Sequence, residues 1–355
     1  MTRNSGFVVL HLPATFAMQC CVVMLLISCS SPSSREGSRS ANLSGMIHIP
    51  GGEFIMGTDE EESYDHEKPA HAVRVKPFLI DATEVTNNQF SEFIEATGYV
   101  TVAEKKPSWE QLKQQVPPGT PAPHDSLLVP GSLVFYPPSE PVMLNDYSQW
   151  WKWVKSASWR HPHGPVSTLQ GKGNHPVVHI AYEDALAYCD WVKKRLPTEA
   201  EWEFASQDVD VKKTRYSWGE EYAPQGKMMA NTFQGSFPIR DLKEDGFGDT
   251  SPVKSFPPNR FGVYDMIGNV WEWTSDWYDV DYFKALSKSA IVDNPKGPDK
   301  SNDPLEPYAS KRVTKGGSFL CASNYCTNYR PTARQGTAFD SGQSHLGFRC
   351  VKDVE

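Results

Sequence analysis

The sequence predicts an α+β fold in one compact domain that is low in regular secondary structure, and three observations point there. First, 25 Gly and 28 Pro are spread through the 355 residues rather than gathered in a tail, more than long helices or strands tolerate in their interiors. Second, 39% hydrophobic residues, with 17 Phe, 14 Tyr and 11 Trp, supply a sizeable core and argue against disorder. Third, after Met46 no charge run, low-complexity linker or repeat marks a boundary. The net charge of -8 leaves no basic footprint for a polyanion, so nucleic acid is not an expected partner.

The N-terminus reads differently. Arg3 precedes an apolar stretch through Phe16 and Val22 to Ile27, then Ser28, Cys29 and a Ser-rich run. This predicts an export signal over 1–28, too short for the ~20 residues of a spanning helix. Leu26-Ile27-Ser28-Cys29 resembles the lipobox of bacterial lipoproteins, in which the cysteine is acylated and becomes the new N-terminus. The expectation is lipidation at Cys29, a flexible tether over 29–45 and a folded domain over 46–355, at the bacterial cell envelope, periplasm-facing or on the outer membrane. Simple secretion with cleavage nearby is the alternative. Of seven cysteines, Cys20, Cys21 and Cys29 fall in this leader, leaving Cys189, Cys321, Cys326 and Cys350. Four thiols in an oxidising compartment make either two disulfides, or one disulfide and one working pair.

Along the domain, Ile47–Met56 predicts a strand turning at Gly51-Gly52, and alternation of Val73, Val75 and Phe78 predicts a second over Val73–Ile80. A helix follows, with Thr86 and Gln89 as capping box, Phe90, Phe93 and Ile94 on one face and Gly98 as its stop. Residues 105–149 are proline-rich with little periodicity and predict a long surface excursion. A second helix runs from Tyr182 to Lys194, acidic at its start and basic at its end, with Cys189 facing the core. A third starts after Thr198, with Glu201 in the boxing position. The later half predicts short strands and turns. In Trp271-Glu272-Trp273 the two tryptophans share one face, and the glutamate opposite needs a hydrogen bond, an ion pair or a metal if buried.

Cys321 and Cys326, five apart, can meet across a turn as a disulfide, a soft-metal site or a redox pair, and spacing alone does not decide. Their surroundings do more. Lys315-Gly316-Gly317-Ser318-Phe319-Leu320-Cys321, Tyr325-Cys326, Tyr329-Arg330, Ala333-Arg334 and Leu346-Gly347-Phe348-Arg349-Cys350 resemble the C-terminal signature of the formylglycine-generating enzyme (sulfatase-modifying factor) family. Pro50-Gly51-Gly52-Glu53-Phe54, His175-Pro176-Val177, Arg195 to Glu203 and Gly268 to Trp273 are similar to family positions in the same order. The resemblance covers 46–353 and is poor over 105–149. It implies the family's C-type-lectin-like fold.

It also implies a catalytic pair, Cys321 and Cys326, holding copper(I) between two thiolates, which suits a soft monovalent ion. Ser318 and Tyr325 match positions beside the metal and oxygen pocket. Cys189 and Cys350 match the family's structural disulfide. Glu104, Trp159, Arg160 and His345 match positions lining the peptide groove. Two structural calcium sites are implied: Asn231 and Asp245 with the carbonyls of Thr232 and Phe247, and Asp265 and Glu272 with the carbonyls of Gly268 and Val270, hard oxygen donors of the kind calcium takes. The second would neutralise Glu272. Ser206 and Pro331 stand where some members carry a further disulfide, and His345 where an Asn is common. His66, His71, His161 and His163 do not form the two-histidine, one-carboxylate pattern of a non-haem iron site.

The function implied is a copper-dependent oxidase converting the cysteine of a sulfatase Cys-x-Pro-x-Arg segment to Cα-formylglycine, with O2 and a thiol reductant, acting as a monomer. The alternative is a non-catalytic lipoprotein interaction module with Cys321–Cys326 as a disulfide.

Overall fold

Both N-terminal strands are cut in two. In the computed structural model, Met46–Ile49 and Gly52–Met56 are separate strands, as are His71–Val75 and Phe78–Asp81. Met46–Ile49 pairs antiparallel with Phe78–Asp81, and Gly52–Met56 with His71–Val75, so one ribbon turns a corner and its halves join different sheets. The corner is at Gly51 and Lys76-Pro77. Gly51 has φ 68°, and a Cβ there would lie 2.6 Å from the Val75 carbonyl oxygen and the Lys76 carbonyl carbon, so only glycine lets the strands cross this closely. The first half is completed by Val351–Asp353, the second by Val292–Asp293 running parallel to His71–Val75. The described residues are 45–207 and 214–354. The export signal, Cys29 and the tether up to residue 44 lie outside them.

A four-stranded sheet lies at the centre, ordered Arg334–Ala338, Lys311–Lys315, Trp271–Trp277, Leu346–Gly347. Trp271 and Trp273 enter one core with Phe90, Trp159, Tyr188 and Phe348, while Trp202 and Phe204 enter another with Ile49, Phe54 and Phe78. Glu272 faces the Trp202 indole, which donates to it at 2.9 Å, so the predicted alternation holds. Residues are 17% helical and 22% in strands, in keeping with the predicted α+β class of low regularity. No helix among the described residues is long and apolar enough to cross a membrane.

The Asn87–Thr97 helix has its Thr86–Gln89 box and left-handed Gly98 stop, and Glu199–Ser206 has Thr198 and Glu201 in theirs. The second helix is shorter than expected. It spans Tyr182–Trp191; Val192 leaves the helix, Lys193 takes φ 58°, and Arg195 exchanges backbone hydrogen bonds with Val351. Pairing with the C-terminal strand ends the helix before its basic turn can form. Residues 105–149 are not only a surface excursion. Gly131–Phe135 pairs with Trp151–Lys155, and the Ser132 hydroxyl, buried, donates to the Gly342 carbonyl.

Candidate active site

The chain leaves Lys311–Lys315 through Gly316 and Gly317, at φ 95° and 72°. A Cβ on Gly317 would lie 2.8 Å from the Asn328 carbonyl oxygen, so the outgoing chain presses against its own return. Between them the Tyr325 and Cys326 amides donate to the Ala322 carbonyl at 3.0 and 2.9 Å, and this turn folds Cys326 back onto Cys321. The sulfurs lie 3.0 Å apart, both free thiols, Cys321 buried and Cys326 partly open. Below them Trp150, Phe233, Phe237, Phe319, Leu320 and Ala322 form a small core of their own.

The pair shares its charge unequally. Burial, and then the hydrogen bond to Cys326, push the Cys321 thiol well up; the Ser318 hydroxyl and backbone act the other way. Cys326 is lowered by its hydrogen bond with Cys321, with the Asn328 and Ala322 amides and the Arg330 guanidinium assisting against burial. Of the two, Cys326 is therefore the thiol that gives up its proton more readily. Arg330 is itself held by Glu67, at 2.8 and 2.9 Å, and by Ser63, which ties the catalytic loop to the 58–67 segment and brings Tyr64 to the cysteines. The Tyr64 hydroxyl is raised by burial and then by the negative sulfur of Cys326.

These thiols lie on the lining of a cleft of 890 Å³. Tyr325 stands on its rim, stacked on Phe237 at 4.5 Å and edge-on to Trp150. His345 lines it too, beside the Trp151 ring at 4.7 Å; burial lowers it to about 3, and its Nδ1 has no partner. His66 is lowered to about 4, by burial and then Arg334. Glu104, Trp159 and Arg160 form a cluster of their own. The Arg160 guanidinium lies over the Trp159 ring at 4.2 Å and 3.5 Å from Glu104, while Trp159 packs on Phe90 in the main core, and none of the three lines the cysteine cleft. Their mutual stacking and core packing hold them there.

Cys189 and Cys350 meet across 161 residues, but as buried free thiols with sulfurs 3.1 Å apart, so the expected disulfide is not formed in this structure. At the calcium set expected around Glu272, both oxygens of Glu272 accept from the Arg349 guanidinium, at 2.6 and 2.7 Å. Glu84 and Asp265 share that cation with it, Lys254 also acting on Asp265, and Glu84 Oε2, 3.9 Å from Arg349, has no hydrogen-bond partner. Three buried carboxylates around one guanidinium leave room in charge, though not need at Glu272, for a further cation. At the other expected calcium set, Asp245 accepts from the Thr232 amide at 2.9 Å and the Gln234 amide at 2.8 Å, and Asn231 Oδ1 is buried and unpartnered. That orphaned oxygen fits a hard cation. Among the described residues no three His, Cys, Asp or Glu side chains are arranged to hold a metal.

The wall residues Trp150, Trp151, Phe237 and Tyr64 escaped sequence reasoning. Alternation of Trp151 and Trp153 is a strand signal that could have found the Trp151–Lys155 hairpin; nothing in the sequence marks Glu67 as the partner of Arg330.

The fold is thus one of short sheets and long turns around an open cleft with two unbonded thiols on its lining. The family model for the sulfatase-modifying factor enzyme 1-like domain matches residues 32–354. The formylglycine-generating enzyme of Mycobacterium tuberculosis is 45% identical, over 88% of this chain and 98% of that protein, and that of Thermomonospora curvata 43%, over 87% and 93%. The inactive Cα-formylglycine-generating enzyme 2 of Mus musculus is 38% identical, over 94% and 92%. PvdO from Pseudomonas aeruginosa shares the fold at a TM-score of 0.54 and 24% identity, covering 87% of this chain and 94% of PvdO. This chain belongs to the sulfatase-modifying factor family.

Proposed function

We propose that this protein forms Cα-formylglycine on a sulfatase, oxidising the cysteine of a Cys-x-Pro-x-Arg segment. The observation that carries the reading is the unbonded pair Cys321–Cys326, with the Cys326 thiol lowered, opening onto a cleft large enough for a peptide. Relatives at 43% and 45% identity bear the name of that activity. A relative at 38% is named inactive, so family membership alone does not make an oxidase.

Copper(I) suits two thiolates with no third protein donor, and when bound there it supplies a site for the client sulfur and an electron for oxygen. The chain's own groups do the rest. Ser318 hydrogen-bonds Cys321, Arg330 and the Asn328 amide stabilise charge on Cys326, and Tyr325 with Trp150 and Phe237 walls the site with apolar surface. In balance, the client cysteine and O2 with two molecules of an external thiol give the aldehyde, hydrogen sulfide, one disulfide and water. Two electrons come from the client's β-carbon and two from the thiols. Calcium at Asn231 and Asp245, and at Asp265 with Glu272, export with lipidation at Cys29 to the bacterial envelope, and action as a monomer complete the reading.

The test incubates the reduced, copper(I)-loaded protein aerobically with a peptide containing Cys-Thr-Pro-Ser-Arg and a thiol reductant, read by mass spectrometry. Aldehyde formation that Cys321→Ala abolishes supports the oxidase. Failure to bind copper, with the peptide unchanged, replaces it by the interaction module.

A further inference from the structure

Apolar side chains left in water are ordinary when scattered, but here four from separate segments converge on one cleft. Tyr64, Tyr147, Leu305 and Tyr325 are 45%, 62%, 92% and 38% exposed, and all line the cleft that holds Cys321 and Cys326. Leu305 stands out, because an almost fully exposed leucine sits on a turn that is held firmly. Lys311 bonds the Asp303 carboxylate at 2.5 Å and also the Glu306 carboxylate. The Leu305 amide donates to Asp303 Oδ1 at 3.0 Å, and the Glu306 amide to the Asp303 carbonyl at 3.1 Å. Upstream, Asn302 donates its backbone amide to the Tyr278 carbonyl at 2.8 Å, on the strand side of the cleft. Two carboxylates on one lysine, half-buried, fix the turn from below while the leucine at its tip meets nothing.

We propose that this Lys311-braced turn is a recognition finger: Leu305, with Tyr147, takes an apolar side chain of the client polypeptide flanking the segment that carries the reacting cysteine. The proposal rests on the function given above. The occupant follows from the cleft, since a chain whose cysteine reaches Cys321 and Cys326 must continue over the rim. An extended chain advances ~3.3 Å per residue, so only a few residues fit within 890 Å³ and the flanks cross Leu305 and Tyr147. A preordered finger captures such a side chain without first being ordered itself, which is where binding by a mobile loop loses affinity. Chain-specific preference outside Cys-x-Pro-x-Arg then resides in the 302–311 turn and in the 105–149 region, where the family resemblance is poorest.

The test uses the full protein and two fluorescent peptides in which Ser replaces the reacting cysteine, so that binding is read by anisotropy without turnover. In one, Leu flanks the five-residue segment on both sides; in the other, Ser does. The wild-type protein is expected to favour the Leu-flanked peptide about tenfold, and Leu305→Ser or Lys311→Met to bring that ratio close to one. Circular dichroism checks that both variants are folded. Equal binding of the two peptides by the wild type, or an unchanged ratio in Leu305→Ser, overturns the finger. Aldehyde formation on the cysteine-containing peptides is scored separately, so a ratio that depends on Leu305 without any aldehyde keeps the finger and sinks the oxidase reading.

Discussion

At the scale of single residues, chemistry here depends on what surrounds a group more than on its type. Cys326 is lowered because Cys321, two amides and Arg330 face it, while in the equally close pair Cys189 and Cys350 burial and then Cys189 push the Cys350 thiol well up. His179 is the opposite case, a histidine whose burial favours the neutral ring. Its two ring nitrogens meet the Ser132 hydroxyl and the Pro162 carbonyl at 2.8 Å each, and burial lowers it to about 4. As pH falls, the unfolded chain takes up this proton first, near 6.5, so the contribution of His179 to stability is lost between about pH 6.5 and pH 4. Asp184 and Asp276, raised to about 7 by burial, act in the other direction in the same range. They are common to wild type and variant. His179→Asn should therefore be less stable at neutral pH, and its deficit relative to wild type should shrink as pH falls from about 6.5 to 4, by up to about 1.4 kcal/mol per unit, measured by urea denaturation. Parallel curves would mean that His179 is not buried neutral. The sequence marks the two reactive cysteines through their motif, but which sulfur holds the charge is legible only in three dimensions.

Among elements, the helices were the most legible. Thr86, Thr198 and Gly98 state their ends in local chemistry, a side-chain oxygen for free amides and a residue that tolerates left-handed backbone. The strands were less so: Ile47–Met56 and Val73–Ile80 each carry one continuous pattern yet divide between two sheets, because pattern records burial and not which sheet does the burying. Gly51 is where that division is enforced. Gly51→Ala places a methyl 2.6 Å from backbone atoms that cannot swing away, on top of the left-handed φ. We expect a loss of at least about 2 kcal/mol in chemical denaturation, against about 1 kcal/mol for Gly119→Ala, which carries the positive-φ penalty alone because its added methyl would meet nothing within 4 Å. Equal losses at the two glycines would show that the crossing is not tight.

Over the whole molecule, basic residues of the C-terminal signature prove to be halves of long-range buried ion pairs: Lys315 with Glu203, Arg330 with Glu67, Arg334 with Glu199, Arg349 with Glu272. Removing one partner from such a pair leaves a buried charge and costs ~3–5 kcal/mol, so these positions are tightly constrained without touching a substrate. Cys189 and Cys350 make another such long-range approach, across 161 residues, with sulfur. Their thiols need close only from 3.1 Å to bond, and the chain-entropy model gives about 5 kcal/mol for a loop of 161 residues. Mild oxidation should thus raise denaturation stability by up to that amount and mask both thiols from alkylation, with the gain abolished in Cys189→Ala; no gain would place the thiols out of bonding geometry.

What the sequence determined by itself is what acts locally or through composition: the helix caps, the apolar faces, the loop-rich α+β class and the cysteine pair with its glycine turn. Tertiary structure alone decided which charge meets which. Glu272 met Arg349, Glu67 reached the loop of Cys321 and Cys326 from more than 260 residues away, and Arg160 stacked on Trp159. Such partners come together only when the chain closes on itself, and desolvation then fixes the pairing, because a buried charge must find its counter-charge wherever the fold delivers one.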